Sequence, residues 1–190
     1  MNDFWSNADK YYKLTDSSKA LIGPLLQRKM LARQEIFLHE GAVPRNVAFI
    51  ESGLLAYYYT DSTGNRIIKR FFKEQEFVSS LAASITGKPG AFTIEALEDT
   101  VLYQFPFTSF KALVNTHFDV ALLYIHYLEK NWVTDKEPME IILKHQTARQ
   151  RYLDFMKEHA SLAARLKQHH IASYLGITPT QLSRIRAEEH

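Results

Sequence analysis

Gln168-His-His-Ile-Ala-Ser-Tyr-Leu-Gly-Ile-Thr-Pro-Thr-Gln-Leu-Ser-Arg-Ile-Arg-Ala187 decides how this chain is read. Its residue types fall in the pattern of a helix-turn-helix. Ala172 is small and mid-helix, so a second helix can cross close to it. Gly176, four residues later, can adopt the left-handed conformation that ends a helix. Ile171, Leu175, Ile177, Leu182 and Ile185 are spaced to bury the angle between the two helices. Thr178 is placed to cap the second helix, and Pro179 falls in its first turn, where no amide partner is lost. Gln181 completes a Thr-x-x-Gln capping box. The second helix then projects Thr180, Gln181, Ser183 and Arg184. Arg can pair with guanine and Gln with adenine in a DNA major groove, while Thr and Ser serve bases or phosphates. Lys167, Arg186 and the amides near Thr178 are the candidates for phosphate contacts. A plain helical hairpin would need none of these surface residues, and four independent features agree on the DNA-binding reading.

The segment lies in the basic quarter of the chain. From Lys144 to His190 there are eight Lys and Arg against four acids, Asp154, Glu158, Glu188 and Glu189. Residues 1–143 are mildly acidic, so a net charge of only +2 conceals an asymmetry that suits a nucleic-acid partner. With 190 residues, 46% hydrophobic and 23% charged, the chain can bury a real core, which excludes disordered and low-complexity classes. The absence of Cys removes disulfides, thiolate zinc sites, iron–sulfur clusters and a cysteine nucleophile. No apolar run approaches the roughly 20 residues of a membrane span. Met1–Lys10 has no apolar signal core, so a cytoplasmic protein is expected.

Upstream the texture changes. Residues 15–30 read as a helix capped by Thr15 or Asp16, with Ala20, Leu21, Leu25 and Leu26 at helical spacing and Pro24 as a flaw. Seven β-rich runs follow: 35–39, 47–50, 54–60, 66–72, 77–79, 92–97 and 101–105. Aromatic and β-branched residues dominate them, and 61–65 reads as a hairpin loop around Gly64. This predicts a compact antiparallel barrel or sandwich. A short helix is expected at 108–115 and a long one from His117 to His145.

The long helix carries a heptad stripe. Phe118, Ile125, Trp132 and Met139 recur every seven residues, and Ala121, Leu128, Asp135 and Ile142 hold the companion position. Seven of these eight are apolar, so Phe118, Ala121, Ile125, Leu128, Trp132, Met139 and Ile142 are the expected seam of a homodimer. Packing on the chain's own β-domain is the competing reading, with Leu122, Leu123 and Leu143 widening the stripe. Pro138 is expected to kink or break the helix, because it removes the bond to the Thr134 carbonyl.

Taken together these residues resemble the Crp/Fnr family of bacterial transcription regulators, the cyclic-AMP receptor type. The landmarks are Phe37-Leu-His-Glu-Gly41, Ser52-Gly53, the 61–64 hairpin, Arg149-Gln-Arg-Tyr-Leu-Asp-Phe155 and, most specifically, Ile171-Ala172 through Leu182-Ser183-Arg184. The resemblance implies an α+β fold: an eight-stranded antiparallel, jelly-roll-like β-roll, a long dimerisation helix and a C-terminal helix-turn-helix domain. It implies division into a sensor domain at 1–116, a dimerisation helix at 117–145 and a DNA-binding domain at 146–190. It implies a sequence-specific transcription regulator, with double-stranded DNA and a second copy of the chain as partners, RNA polymerase as a further candidate, and no membrane. The alternative is a ligand-sensing or interaction module whose helix-turn-helix no longer binds DNA.

One departure bears on the ligand. Where nucleotide-binding members carry a Gly-Glu pair and an Arg-Ser or Arg-Thr pair, this chain has Ser79-Ser80 before Leu81, and Phe92-Thr93. The arginine for the cyclic phosphate and the carboxylate for the ribose are absent, and Lys88 is the only cation nearby in sequence. A buried phosphate without a cation would be costly. The expected pocket of Ser79, Ser80, Leu81, Phe92 and Thr93 therefore suits a neutral ligand or is filled by its own side chains. Cyclic AMP is not expected, the effector is unassigned and no cofactor is implied. Room for the β-wing of many relatives is short before His190. Enzyme readings are weak: His39 stands alone without the clustered His-x-His of a cupin, and there is no HExxH, P-loop, GxGxxG or GxSxG.

Overall fold

A computed structural model describes residues 2–134 and 146–188. Two four-stranded antiparallel sheets face each other. Their strands are β1 (Gln27–Leu31), β2 (Ile36–Leu38), β3 (Asn46–Ser52), β4 (Leu55–Thr60), β5 (Arg66–Phe72), β6 (Phe77–Val78), β7 (Thr93–Ala96) and β8 (Thr100–Pro106). One sheet has the order β1-β8-β3-β6 and the other β2-β7-β4-β5. Strand alternation sorts their side chains. Ala48, Ile50, Leu55, Tyr57, Ile94 and Leu102 point between the sheets and form the roll's own core. Between β3 and β4, Gly53 takes φ +111°, and a Cβ there would lie 2.7 Å from the Thr100 Cα, so only glycine fits.

The other face of each sheet is also covered. Phe49 and Phe105 pack against Phe4 and Ala8 of α1 (Asn2–Ala8), Ile22 of α2 (Asp16–Ile22) and Val120 and Leu123 of α5 (Phe118–Leu128). Asp119 fastens α2 to α5: it accepts from the Thr15 amide at 2.9 Å and the Ser18 hydroxyl at 2.8 Å. Burial raises its pKa, but these bonds to the carboxylate outweigh burial and hold it at about 2. On the second sheet, Ala56 and Tyr58 of β4 and Ile68 and Phe71 of β5 share a core with the C-terminal helices. Both faces of β4 are thus occupied, which is why Leu55-Ala56-Tyr57-Tyr58 is a continuous buried run.

Several expectations need correction. The helix predicted over 15–30 ends at Ile22. A 3-10 turn, Gly23–Leu25, follows around Pro24, and Gln27–Leu31 is an edge strand pairing with β8. Helix α1 is not among the elements expected from the sequence. Helix α3 (Leu81–Thr86) interrupts the stretch between β6 and β7, and α4 (Phe107–Thr116) matches the short helix expected there.

The long helix is α5 as far as Leu128, then a π-helical turn over Glu129–Thr134. The Thr134 hydroxyl donates to the Glu129 carbonyl at 2.8 Å and the Asn131 side-chain Nδ2 to the Tyr127 carbonyl at 2.9 Å. Such a turn takes up an extra residue and rotates the residues beyond it about the helix axis. Leu128, just before the turn, and Trp132, within it, pack on Leu81, Phe107 and Tyr124 of the same chain. Phe118 and Ile125 remain 77% and 46% exposed. Met139, Ile142, Asp135 and Pro138 lie outside the described residues, as do Lys144, His145 and His190.

Candidate nucleic-acid interface and ligand region

The C-terminal domain is built from α6 (Ala148–Glu158), α7 (Ala160–Ala163), α8 (Gln168–Leu175) and α9 (Pro179–Glu188). Thr147 starts α6 with a complete capping box, its hydroxyl accepting from the Gln150 amide at 3.2 Å. Arg151 on α6 then donates to the Leu175 carbonyl at 3.1 Å and to the Gln146 carbonyl at 2.8 Å. It ties the first helix of the motif to the segment that leads into it, a role with no sequence signature beyond a basic residue on a helix.

Helix α8 ends as its sequence requires. Gly176 sits at φ +67°, the Ile177 amide reaches back to the Ala172 carbonyl at 3.0 Å, and the Gly176 amide to that of Ser173 at 3.2 Å. Ala172 and Leu182 are fully buried, with Ile171, Leu175 and Ile185 around them. Leu182 and Ile185 point inward, so the α9 residues between them point outward. Thr178, Thr180, Gln181, Ser183 and Arg184 are all exposed; Lys167 precedes α8 and is exposed, and Arg186 is half-buried.

Gln181 needs a narrower role. Its side-chain oxygen accepts from the Thr178 amide at 2.9 Å, while the Gln181 amide donates to the Thr178 hydroxyl at 3.1 Å. Bidentate pairing with adenine needs both the oxygen and the nitrogen of the side-chain amide. In this conformation the oxygen is engaged in the cap, and so is the Thr178 amide expected to serve a phosphate.

The domain is docked on the roll. The Ser173 hydroxyl accepts from the Ile68 amide at 2.9 Å and donates to the Arg66 carbonyl at 2.6 Å, so α8 supplies partners to the free edge of β5. Arg165 bridges Glu74, at 2.8 Å, and Glu98, in the turns that follow β5 and β7. Beside this contact, Glu95 is buried, accepting from the Tyr58 hydroxyl at 2.7 Å and pairing with Arg66 at 2.7 Å. Burial first, and then the carboxylate, pushes the Tyr58 phenol up to about 12.

The five residues expected to line one pocket are dispersed. Phe92 stacks on Tyr57 with ring centroids 4.5 Å apart, and the Tyr57 hydroxyl meets that of Ser80 at 3.1 Å. Ser79 meets Ser84 at 2.9 Å, and Leu81 packs on Phe107 and Tyr124. Thr93 is buried in β7 and accepts from the Glu40 amide at 3.2 Å. Lys88 is exposed, and it is not the only cation in the region, contrary to the sequence reading. The Lys69 ammonium lies 4.7 Å from the Phe92 ring centre and 5.7 Å from that of Tyr57, because Lys69 falls at the register shift between the Tyr57–Arg70 and Tyr58–Ile68 pairs of β4 and β5. Lys29 and Arg45 line a cleft with Ser79 and Ser80.

Residues 28–117 match the family model described as the cyclic nucleotide-binding domain. Among solved structures, the fold is similar to FixK2 of Bradyrhizobium japonicum, at 20% identity and a TM-score of 0.72 over 86% of this chain and 83% of that one. It is similar to CLP, the c-di-GMP responsive global regulator of Xanthomonas campestris, at 10% identity and a TM-score of 0.71 over 92% and 91%. It is also similar to the catabolite activator protein of Thermus thermophilus, at 18% identity and a TM-score of 0.58 over 94% and 86%. No curated protein sequence matches the chain at a significant level. Among the described residues, no helix is long and apolar enough to cross a membrane.

Proposed function

From a chain that has the fold of the Crp/Fnr regulators, with a cyclic nucleotide-binding domain over residues 28–117, we propose a homodimeric transcription regulator that reads DNA through α9. The observation that carries this is the division of α9 into two faces. Leu182 and Ile185 fix the helix from beneath, the Thr178–Gln181 cap fixes its start, and Thr180, Ser183 and Arg184 stand in solvent. A rigid helix with a polar, singly cationic face suits a major groove. Arg184 pairs with a guanine, Thr180 and Ser183 assist, and Lys167 and Arg186 hold phosphates. Gln181 acts first by fixing the helix start.

The Tyr57–Phe92 stack and the Tyr57–Ser80 bond support a regulator that does not depend on cyclic AMP, since they engage Phe92 and Ser80, two of the residues expected to line the ligand pocket. RNA polymerase is a further partner of the same reading.

Fluorescence anisotropy on the DNA upstream of the chain's own gene tests the base-reading role. Arg184→Ala should weaken specific binding by about 1–3 kcal/mol and relax one base position. Lys167→Ala should weaken specific and random DNA alike and lower the salt slope by about one. Equal loss on both DNAs in Arg184→Ala would remove Arg184 from base reading.

A further inference from the structure

Next to the Tyr57–Ser80 contact, a cleft of about 300 Å³ is lined by Lys29, Arg45, Asn46, Gln104, Ser79 and Ser80, with Phe37 and Leu38 as its apolar part. Its two cations come from separate elements. Lys29 is on β1, on the same side as the buried Leu31, so its stem lies over the Phe37 ring, 5.7 Å from the ammonium. Arg45 belongs to the loop that enters β3, where its carbonyl accepts from the Phe107 amide at 2.9 Å and fixes the backbone beneath the side chain.

These two differ from the other basic residues of the roll. Arg28 pairs with Glu51, Arg66 with Glu95 and Arg70 with Glu76. Neither Lys29 nor Arg45 forms an ion pair among the described residues, and no carboxylate lines the cleft. Two like charges with hydroxyl and amide groups around them, and no acid to neutralise them, are complementary to a compact dianion. The dimensions admit a phosphate group with a short organic tail over Phe37 and Leu38.

We propose that this cleft binds a small phosphate-bearing anion, with Lys29 and Arg45 as its charge partners. The cleft shares Ser80 with the Tyr57–Ser80 contact, and it does not depend on whether the chain binds DNA.

Titration calorimetry on the full chain, with inorganic phosphate and glycerol phosphate as probes, tests the proposal. Saturable binding of either probe at millimolar concentration or below is expected. Phosphate alone would mark a site for the free ion, and tighter glycerol phosphate would mark use of the apolar part. Arg45→Ala and Lys29→Ala should each weaken the bound probe by about tenfold, the loss of one charge-assisted contact. Lys88→Ala, in an exposed turn outside the cleft, should leave binding unchanged. Arg45 is exposed, so its removal leaves the core intact, and unchanged thermal melting of Arg45→Ala verifies this. No saturable binding of either probe, or equal binding by wild type and both cleft variants, would overturn the proposal.

Discussion

His170 lies on α8 where the helix-turn-helix meets the roll, and its Nδ1 is buried with no hydrogen-bond partner among the described residues. Burial first, then His169 and Lys167 on its own segment, lowers its pKa from 6.5 to about 4; Glu95 on β7 acts the other way, and Arg66 on β5 adds a smaller lowering. The folded chain therefore holds His170 neutral. Its contribution to stability is complete above pH 6.5 and is lost progressively as pH falls from 6.5 toward 4, where the unfolded chain takes up the proton first. Thermal melts between pH 7.5 and pH 5 should show wild type losing stability more steeply than His170→Gln. Parallel curves would mean that the ring protonates without cost where it stands. His169 and Lys167 are neighbours in the sequence, but Glu95 on β7 and Arg66 on β5 reach His170 only through the fold. Gln181 shows the same gap. The capping box was legible from its three-residue spacing, but the cap's hold on the oxygen that base reading needs became plain only in the geometry.

At the scale of elements, the helix-turn-helix was the most legible part of the chain, because every signal in it is local: a small residue, a glycine, a cap and an apolar angle within 20 residues. Strand β1 was not. Gln27-Arg-Lys-Met-Leu31 buries only Leu31 fully, as an edge strand can, and Leu21, Leu25 and Leu26 before it mimic a helical stripe. The docking of α8 on β5 was invisible for a different reason. Beside the apolar contacts of Ile68 and Phe71, it uses one serine hydroxyl that serves two backbone groups of an edge strand, and nothing in a serine's neighbours announces that. Ser173→Ala should leave the Ile68 amide and the Arg66 carbonyl without that partner, at a cost of about 1–3 kcal/mol. Hydrogen exchange checks this directly: the Ile68 amide should exchange faster in Ser173→Ala. Unchanged protection would mean that the edge finds water or another partner equally well, and that the apolar cluster of Tyr58, Ile68, Phe155 and Ile171 holds the domain alone.

For the whole molecule, α5 divides its two faces between two tasks. Val120, Leu123 and Tyr124 are buried against the roll, and Phe118 and Ile125 are left in solvent with Ala121 between them. Of the heptad stripe, Phe118 and Ile125 are the outward positions, while Leu128, at the end of α5, and Trp132, within the π turn, are partly buried against the chain's own core. An exposed phenylalanine and isoleucine one heptad apart suit a two-fold seam with a second copy. Ile125→Asp should convert a dimer to a monomer in sedimentation without loss of the roll, because Ile125 lies outside the buried clusters. A dimer that survives this change would place the seam elsewhere. A dimer presents two copies of α9 to one face of DNA, and that geometry makes the central claim testable in one measurement. Selection of binding sequences from a random double-stranded library by the full chain should enrich an inverted repeat, its half-sites one helical turn of about 10 base pairs apart or a multiple of it. Each half-site should contain a guanine whose preference disappears in Arg184→Ala. A library that shows no enrichment over its starting composition, while the protein remains folded and dimeric, would contradict sequence-specific DNA recognition by this chain.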